Sequence, residues 1–402
     1  MKRPVVAVFA PEAHGHFARM RGVIAGLAAQ GAAVHVFTAR RFAAEVREAG
    51  GRFEDLFGPH PLEAADDESM PVVSRYVTYA AHYAEAVVRD VAAIGPSLIV
   101  YDTFAVIARV VANALGLPAV NVSAGHNLAP GPAIEALEAD PRVATSERCV
   151  RAVETLRERH GITDASPFSY VSGLSPHLNL LCEPPQWLTA AERGVFEPYA
   201  FFGSLRAVDV LDAPRQPGGF RDGAPKVYVS LGTVPWWYWP GVVIDTLETI
   251  AVAIGRTADV LISLGGLAVA EERVAALRRA GATVAEHADT WAALGEADVF
   301  VTSQGLNSTH EAIYSRVPML SYPFFADQPV LAELCERFGV ALPLVDEPRA
   351  ELYPNRLRAA LAEVAERRTE FDEALERARA WEVAVIESRG AVLERMLDLA
   401  QA

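Results

Sequence analysis

Lysine and cysteine are scarce in this chain of 402 residues. Its lysines are Lys2 and Lys226, and its three cysteines, Cys149, Cys182 and Cys335, lie far apart. That spacing suits neither a disulfide framework nor a metal site, so reduced thiols in a cytoplasmic protein are expected. No apolar run approaches the roughly eighteen residues of a membrane span. The opening, Met1-Lys2-Arg3-Pro4, runs straight into a β-branched stretch over residues 5–10, which is too short for a secretion signal. Positive charge is in deficit as well. A formal net charge of −15 leaves no basic face to neutralise a nucleic-acid backbone. One small anionic ligand is still allowed, because it needs only local donors. Neither Gly-x-x-x-x-Gly-Lys nor Gly-x-Gly-x-x-Gly occurs, so a P-loop and a nicotinamide-dinucleotide fingerprint are excluded. Asp-x-Asp is absent too, as is any His/Asp cluster at metal-ligand spacing, and no metal or other cofactor is expected.

What is present is alternation. Short apolar runs at 5–10, 33–38, 97–101 and 118–122 read as strands, and 18–30, 41–49, 76–94 and 104–115 have helical periodicity. The segment "APRQPGGFRDGAP", residues 213–225, is rich in Pro and Gly and reads as a linker. Alternation then resumes, with strands at 226–230, 259–264, 283–286, 298–302 and 318–322, and helices at 241–254, 271–280 and 308–314. The tail from Asn355 is helical and charged. Strands of about five residues alternating with helices imply parallel sheets covered on both faces. The expected fold is α/β, two Rossmann-like domains with parallel sheets facing across a deep cleft, the site lying at the carboxyl ends of the strands.

One turn carries a chemical signal. In "VFVTSQGLNSTHEAIYSRVPMLSYPFFADQP", residues 299–329, a buried strand empties into a small polar turn. Ser308-Thr309-His310-Glu311 has the form of a capping box, which places a helix start at Ser308. The first amides of a helix lack internal acceptors, and Gly305 lets a ligand come close, so the turn suits a phosphate. An ordinary capped helix is the alternative. A second turn, Leu231-Gly232-Thr233, puts a glycine and a hydroxyl after another strand in the same half. In the first half, His14 and His16 flank Gly15 at the end of the first strand. Asp102 closes the apolar strand of "LIVYDTFAV", either to orient an imidazole or to cap the helix from Phe104. Tyr76, Tyr79 and Tyr83 recur at helical spacing, with Phe168 and Tyr170 further on. They serve either core packing or a pocket wall. Trp236-Trp237-Tyr238-Trp239 reads as an aromatic loop, a wall for a ligand or an exposed interface.

Together "VYVSLGTV", the long motif above and "AHGHFARMRGVIAGLAAQG" resemble the macrolide and UDP-glucuronosyltransferase-like family of nucleotide-sugar glycosyltransferases. The resemblance covers most of the chain and is strongest over residues 226–345. It implies the GT-B fold, with an acceptor-binding domain over 1–212, the linker over 213–225, a nucleotide-sugar domain over 226–384, and a final helix, 385–402, returning to the first domain. It also implies an inverting, metal-independent transfer of a dTDP- or UDP-hexose to a hydroxyl of a small hydrophobic natural product. Carried over, His16 is the general base and Asp102 its partner. Thr233, Asn307 and Ser308 contact the diphosphate, with Gly232, Ser303, Gln304 and Gly305 also in the donor site. Glu311 faces the ribose, His287 lies near the nucleobase, and Asp327 and Gln328 hold sugar hydroxyls. Met70, Tyr76, Tyr79, Tyr83, Phe168 and Trp236 line the acceptor site.

Two departures stand out. Ser303-Gln304-Gly305 replaces the family's usual His-Gly-Gly, and Glu286-His287 its Pro-Gln. A homologue that binds without turnover, or another GT-B enzyme such as a nucleotide-sugar 2-epimerase, is the alternative function. A monomer or a homodimer is expected.

Overall fold

The computed structural model describes residues 3–62, 74–123, 125, 129–139, 145–205, 211–221 and 225–401. By internal packing the chain divides into two units. One comprises Met1–Ala207 with Val385–Ala402, the other Val208–Ala384.

The first unit is built on seven parallel strands: β1 (Val5–Phe9), β2 (Ala33–Thr38), β3 (Arg52–Asp55), β4 (Leu98–Asp102), β5 (Ala119–Val122), β6 (Leu178–Leu181) and β7 (Tyr199–Phe201). Their spatial order is β3-β2-β1-β4-β5-β6-β7. The middle strands are buried on both faces, as their unbroken apolar composition requires; every residue of β4 is buried. Helix Arg75–Ile94 buries Val77, Ala80, Ala84, Val87 and Val91, a stripe at helical spacing, in the core of this unit. From β1 the chain builds outward through β2 and β3, then returns to start β4 on the other side. At such a reversal the loops leaving two adjacent strands turn opposite ways, and a crevice opens at their carboxyl ends.

The second unit repeats the plan with six parallel strands: β8 (Lys226–Ser230), β9 (Asp259–Ser263), β10 (Thr283–Ala285), β11 (Val299–Thr302), β12 (Met319–Ser321) and β13 (Ala341–Pro343). Their order is β10-β9-β8-β11-β12-β13, so the reversal falls between β8 and β11.

Four strands are not visible in the sequence pattern: β3, β6, β7 and β13. β3 and β13 are short edge strands, one polar and one ending in proline. Helix His14–Ala29 starts four residues before its apolar periodicity does. The proline- and glycine-rich stretch is well packed where it is described. Arg215 donates to the Trp291 carbonyl (3.0 Å) and to Ser315 Oγ (2.9 Å), and its guanidinium lies 3.7 Å from the Trp291 ring centre. All these partners belong to the second unit. No helix among the described residues is long and apolar enough to cross a membrane.

The last helix, Arg368–Leu399, contributes to both units. In the first, buried Arg389 donates to the carbonyls of Phe202 and Leu205. In the second, fully buried Glu382 pairs with His310 at 2.6 Å. His310 sits on helix Leu306–Tyr314, so this pair anchors the helix that follows the polar turn. His310→Ala would strand a buried carboxylate, at a cost of about 3–5 kcal/mol. Urea unfolding of the second unit checks this expectation; a loss below about 1 kcal/mol would contradict the anchoring role.

Candidate active site

β1 and β4 are neighbours, with Phe9 in register with Tyr101, so the segments that leave them emerge together. His16 lies in the first turn of helix His14–Ala29, and Asp102 closes β4. Although 86 residues apart, they meet: His16 Nδ1 is 3.0 Å from both carboxylate oxygens. The carboxylate is wholly buried, whereas the imidazole is 17% exposed, so only the ring can be reached from solvent. Asp102 also accepts from the Phe104 amide at 3.0 Å, and the buried Arg19 guanidinium stands 3.9 Å away. Burial alone would raise the Asp102 pKa. The charge and hydrogen bond of His16, the Arg19 charge and the Phe104 amide outweigh it and hold the group below the ordinary carboxylate range. An ionised carboxylate only accepts, so Nδ1 carries the proton and Nε2 is the ring nitrogen left to face a ligand. The helix after β4 starts at Ile107 with Val106 as its cap, so Asp102 braces a turn and orients His16 rather than capping a helix. His14 packs edge-on against Phe42 instead.

The aromatic stripe packs largely into the core of the first unit. Tyr79 is 1% exposed and donates to the Leu56 carbonyl at 3.4 Å. Tyr76 and Phe168 are also buried, while half-buried Tyr83 donates to the Pro61 carbonyl at 3.2 Å. Burial, with the nearby charges of Glu12 and Asp102, pushes the Tyr76 phenol far above its usual range. Phe104, missed in the sequence, packs at a tilt with its ring centre 4.3 Å from that of His16 and is flanked by Tyr76 (6.1 Å) and Tyr170 (5.4 Å). Its position two residues after Asp102 was the available signal. Met70 lies outside the described residues.

In the second unit β8 and β11 are adjacent, with Ser230 in register with Thr302. Gly232 (φ 75°) and Thr233 follow β8, and Ser303, Gln304 and Gly305 follow β11. A Cβ at Gly232 would lie 3.6 Å from Ser303 Oγ, so the two turns touch. After β9 come Gly265 and Gly266, both left-handed and both missed in the sequence. A Cβ at Gly265 would press within 2.9 Å of the Gly232 carbonyl, and one at Gly266 would reach 4.0 Å from His287 Nδ1. "LISLGGL", an apolar run ending in paired glycines, was the overlooked signal. Four strand ends thus bring Gly232, His287 and Ser303 to one place.

The expected capping box does not form. Gln304 is left-handed (φ 61°) and Gly305 extended, so the helix starts at Leu306, with Ser308 in its first turn and half-buried Glu311 beyond it. Nor does the Gln304 side chain face a ligand. It is fully buried, donating to Ser321 Oγ (2.9 Å) and accepting from Thr309 Oγ1 (2.9 Å). It braces the turn from behind. The first-turn amides of Leu306, Asn307 and Ser308 have no acceptor within the helix, whose first bond runs from Thr309 to Gly305.

Half-buried Asp327 precedes helix Gln328–Arg337. Gln328 is buried, and its side-chain oxygen accepts from the Phe324 amide at 2.9 Å. The tryptophan segment forms a short helix, Val234–Tyr238, not a loop. Trp236 is buried within the second unit, while Trp237 is 60% exposed. Among the described residues no group of three or more His, Cys, Asp or Glu could hold a metal ion.

Residues 247–375 match the family described as UDP-glucoronosyl and UDP-glucosyl transferase. The oleandomycin glycosyltransferase of Streptomyces antibioticus is 26% identical over 408 residues, spanning 89% of this chain and 87% of that one. The crystal structure of a calicheamicin glycosyltransferase has a TM-score of 0.73 at 20% identity, covering 99% of each chain. A spinosyn rhamnosyltransferase complexed with thymidine diphosphate has a TM-score of 0.65 at 18% identity, covering 98% of this chain and 100% of that one. At these identities the solved structures speak for the fold. With the two parallel-sheet units and the sequence matches, they make this chain a GT-B glycosyltransferase. By sequence it is similar to the UDP-glucoronosyl and UDP-glucosyl transferase family over residues 247–375, and to the oleandomycin enzyme along most of its length.

Two outcomes follow from the geometry. Gln304→Gly relieves about 1–2 kcal/mol of left-handed strain but leaves two buried hydroxyls to find new partners, at about 1–3 kcal/mol each. Net destabilisation of up to about 5 kcal/mol is expected in urea unfolding; a stabilised variant would contradict the bracing role. The second concerns pH. The folded Asp102 pKa is depressed, so its contribution is complete above the unfolded value of about 3.9 and fades as pH falls through the folded value. The stability gap between wild type and Asp102→Asn should therefore narrow from about pH 5 towards pH 2. A constant gap would contradict an ionised, paired Asp102.

Proposed function

We propose that the enzyme transfers a hexose, with inversion, from a dTDP- or UDP-activated donor to a hydroxyl of a small hydrophobic natural product. His16 is the general base. Its Nε2 accepts the hydroxyl proton while the acceptor oxygen bonds to the anomeric carbon and the bond to the diphosphate breaks. Asp102 keeps the proton on Nδ1 and stabilises the imidazolium that forms. The observation that carries this reading is the 3.0 Å approach of Nδ1 to both oxygens of a buried carboxylate.

The departing diphosphate has its charge met by the first amides of helix Leu306–Tyr314 and by Thr233, Ser303, Asn307 and Ser308. Gln304 serves this site through its backbone turn. Glu311 takes the ribose, His287 lies at the nucleobase, and Asp327 and Gln328 take sugar hydroxyls. Thymidine diphosphate in a structural relative supports a thymidine donor. Phe104, backed by Tyr76 and Tyr170, offers an apolar acceptor a wall beside His16.

His16→Ala should lower turnover by about 10²–10⁴-fold while thymidine diphosphate binds unchanged in calorimetry. Turnover that survives the substitution would sink the base assignment, and so would lost nucleotide binding.

A further inference from the structure

The turn that carries Asp327 is held by a device that the transfer reaction leaves unexplained. Its backbone passes through Phe324 and Phe325 to left-handed Ala326 (φ 56°). Arg349, distant in sequence and itself left-handed (φ 63°), lies behind it. The Arg349 amide donates to the Pro323 carbonyl at 3.1 Å, and the guanidinium donates to the Phe324 carbonyl. The carbon of that guanidinium lies 4.8 Å from the ring centre of Trp239. Trp239 in turn packs on Phe325 (5.1 Å) and Phe324 (6.1 Å). Tyr322 closes the arrangement by donating to the Ala350 carbonyl at 2.8 Å. A planar guanidinium can stack and donate at once, which an ammonium cannot.

We infer that Arg349, clamped by Trp239, is a positioning residue that fixes the Asp327 turn for the donor's sugar and leaves the nucleotide's grip untouched. The inference rests on the reading of Asp327 and Gln328 as sugar-binding residues. It accounts for the run of aromatics after Thr233: Trp239 braces the sugar turn. Two features separate this role from general stability. Arg349 reaches the 323–328 turn directly, whereas the 303–308 turn is held by Gln304 through Ser321 and Thr309, with no hydrogen bond to Arg349 among those described.

The test uses the full chain with Arg349→Met, Arg349→Lys and Trp239→Leu. Hydrogen exchange in peptides over 322–328 should accelerate in the Met and Leu variants, and exchange over 302–309 should not. Calorimetry should show the Kd for dTDP-glucose rising roughly tenfold, with the Kd for thymidine diphosphate within about twofold of wild type. Arg349→Lys keeps the charge but loses the fork, and should fall between Met and wild type. A parallel rise in both Kd values, or faster exchange in both peptides, would make Arg349 a structural residue only and overturn the proposal, as would no change in either. Asp327→Ala separates the two levels of inference. If it leaves dTDP-glucose binding intact, the sugar-site reading falls and this role with it; if it weakens binding while the Arg349 variants do not, this role alone falls.

Discussion

A buried amide side chain sets the geometry of the second unit's site. Gln304 takes a left-handed backbone, which costs an L-residue about 1–2 kcal/mol, and is held there by hydrogen bonds to Ser321 and Thr309. The turn it enforces ends β11 abruptly and starts a helix at Leu306. The first amides of that helix therefore point out of the strand end, beside the glycine turns of β8 and β9. His310 and Glu382 lock the same helix from its buried side. Glycine would take this backbone conformation without that cost; here the side chain's hydrogen bonds offset it.

The first unit reaches its chemistry by another route. β1 and β4 are neighbours only because the strand order reverses there. That adjacency gives a histidine at the start of one helix and an aspartate at the end of a buried strand a shared position. Stranding Asp102 in the interior would be costly, but three donors or cations converge on it: His16, the Phe104 amide and Arg19. The result is an ionised carboxylate that solvent cannot reach, holding an imidazole that solvent can.

The alternation of short apolar runs with helical periods was enough to read two parallel-sheet α/β units, because central strands buried on both faces have an unbroken apolar signature. Edge strands such as β3 and β13 lack that signature and were invisible. His16 and Asp102 were legible as residues at strand ends, and their contact needed the strand order. The capping-box spacing at Ser308 misplaced the helix start because tertiary bonds to the Gln304 side chain overrode a local pattern. The tyrosine stripe shows the ambiguity of periodicity: spacing marks one helix face without saying whether that face meets core or ligand, and Tyr79 met core. Arg19 and Arg349 were unreadable, because a buried arginine announces itself only through its partners.

The account therefore stands on the helix start at Leu306 acting as the diphosphate's anchor. The most direct measurement is backbone amide NMR of the assigned protein titrated with thymidine diphosphate. The account predicts that the amides of Gly305, Leu306, Asn307 and Ser308 shift together at one saturating affinity, with Gly232 and Thr233 following. Saturable shifts confined to other residues, with those amides still, would contradict it.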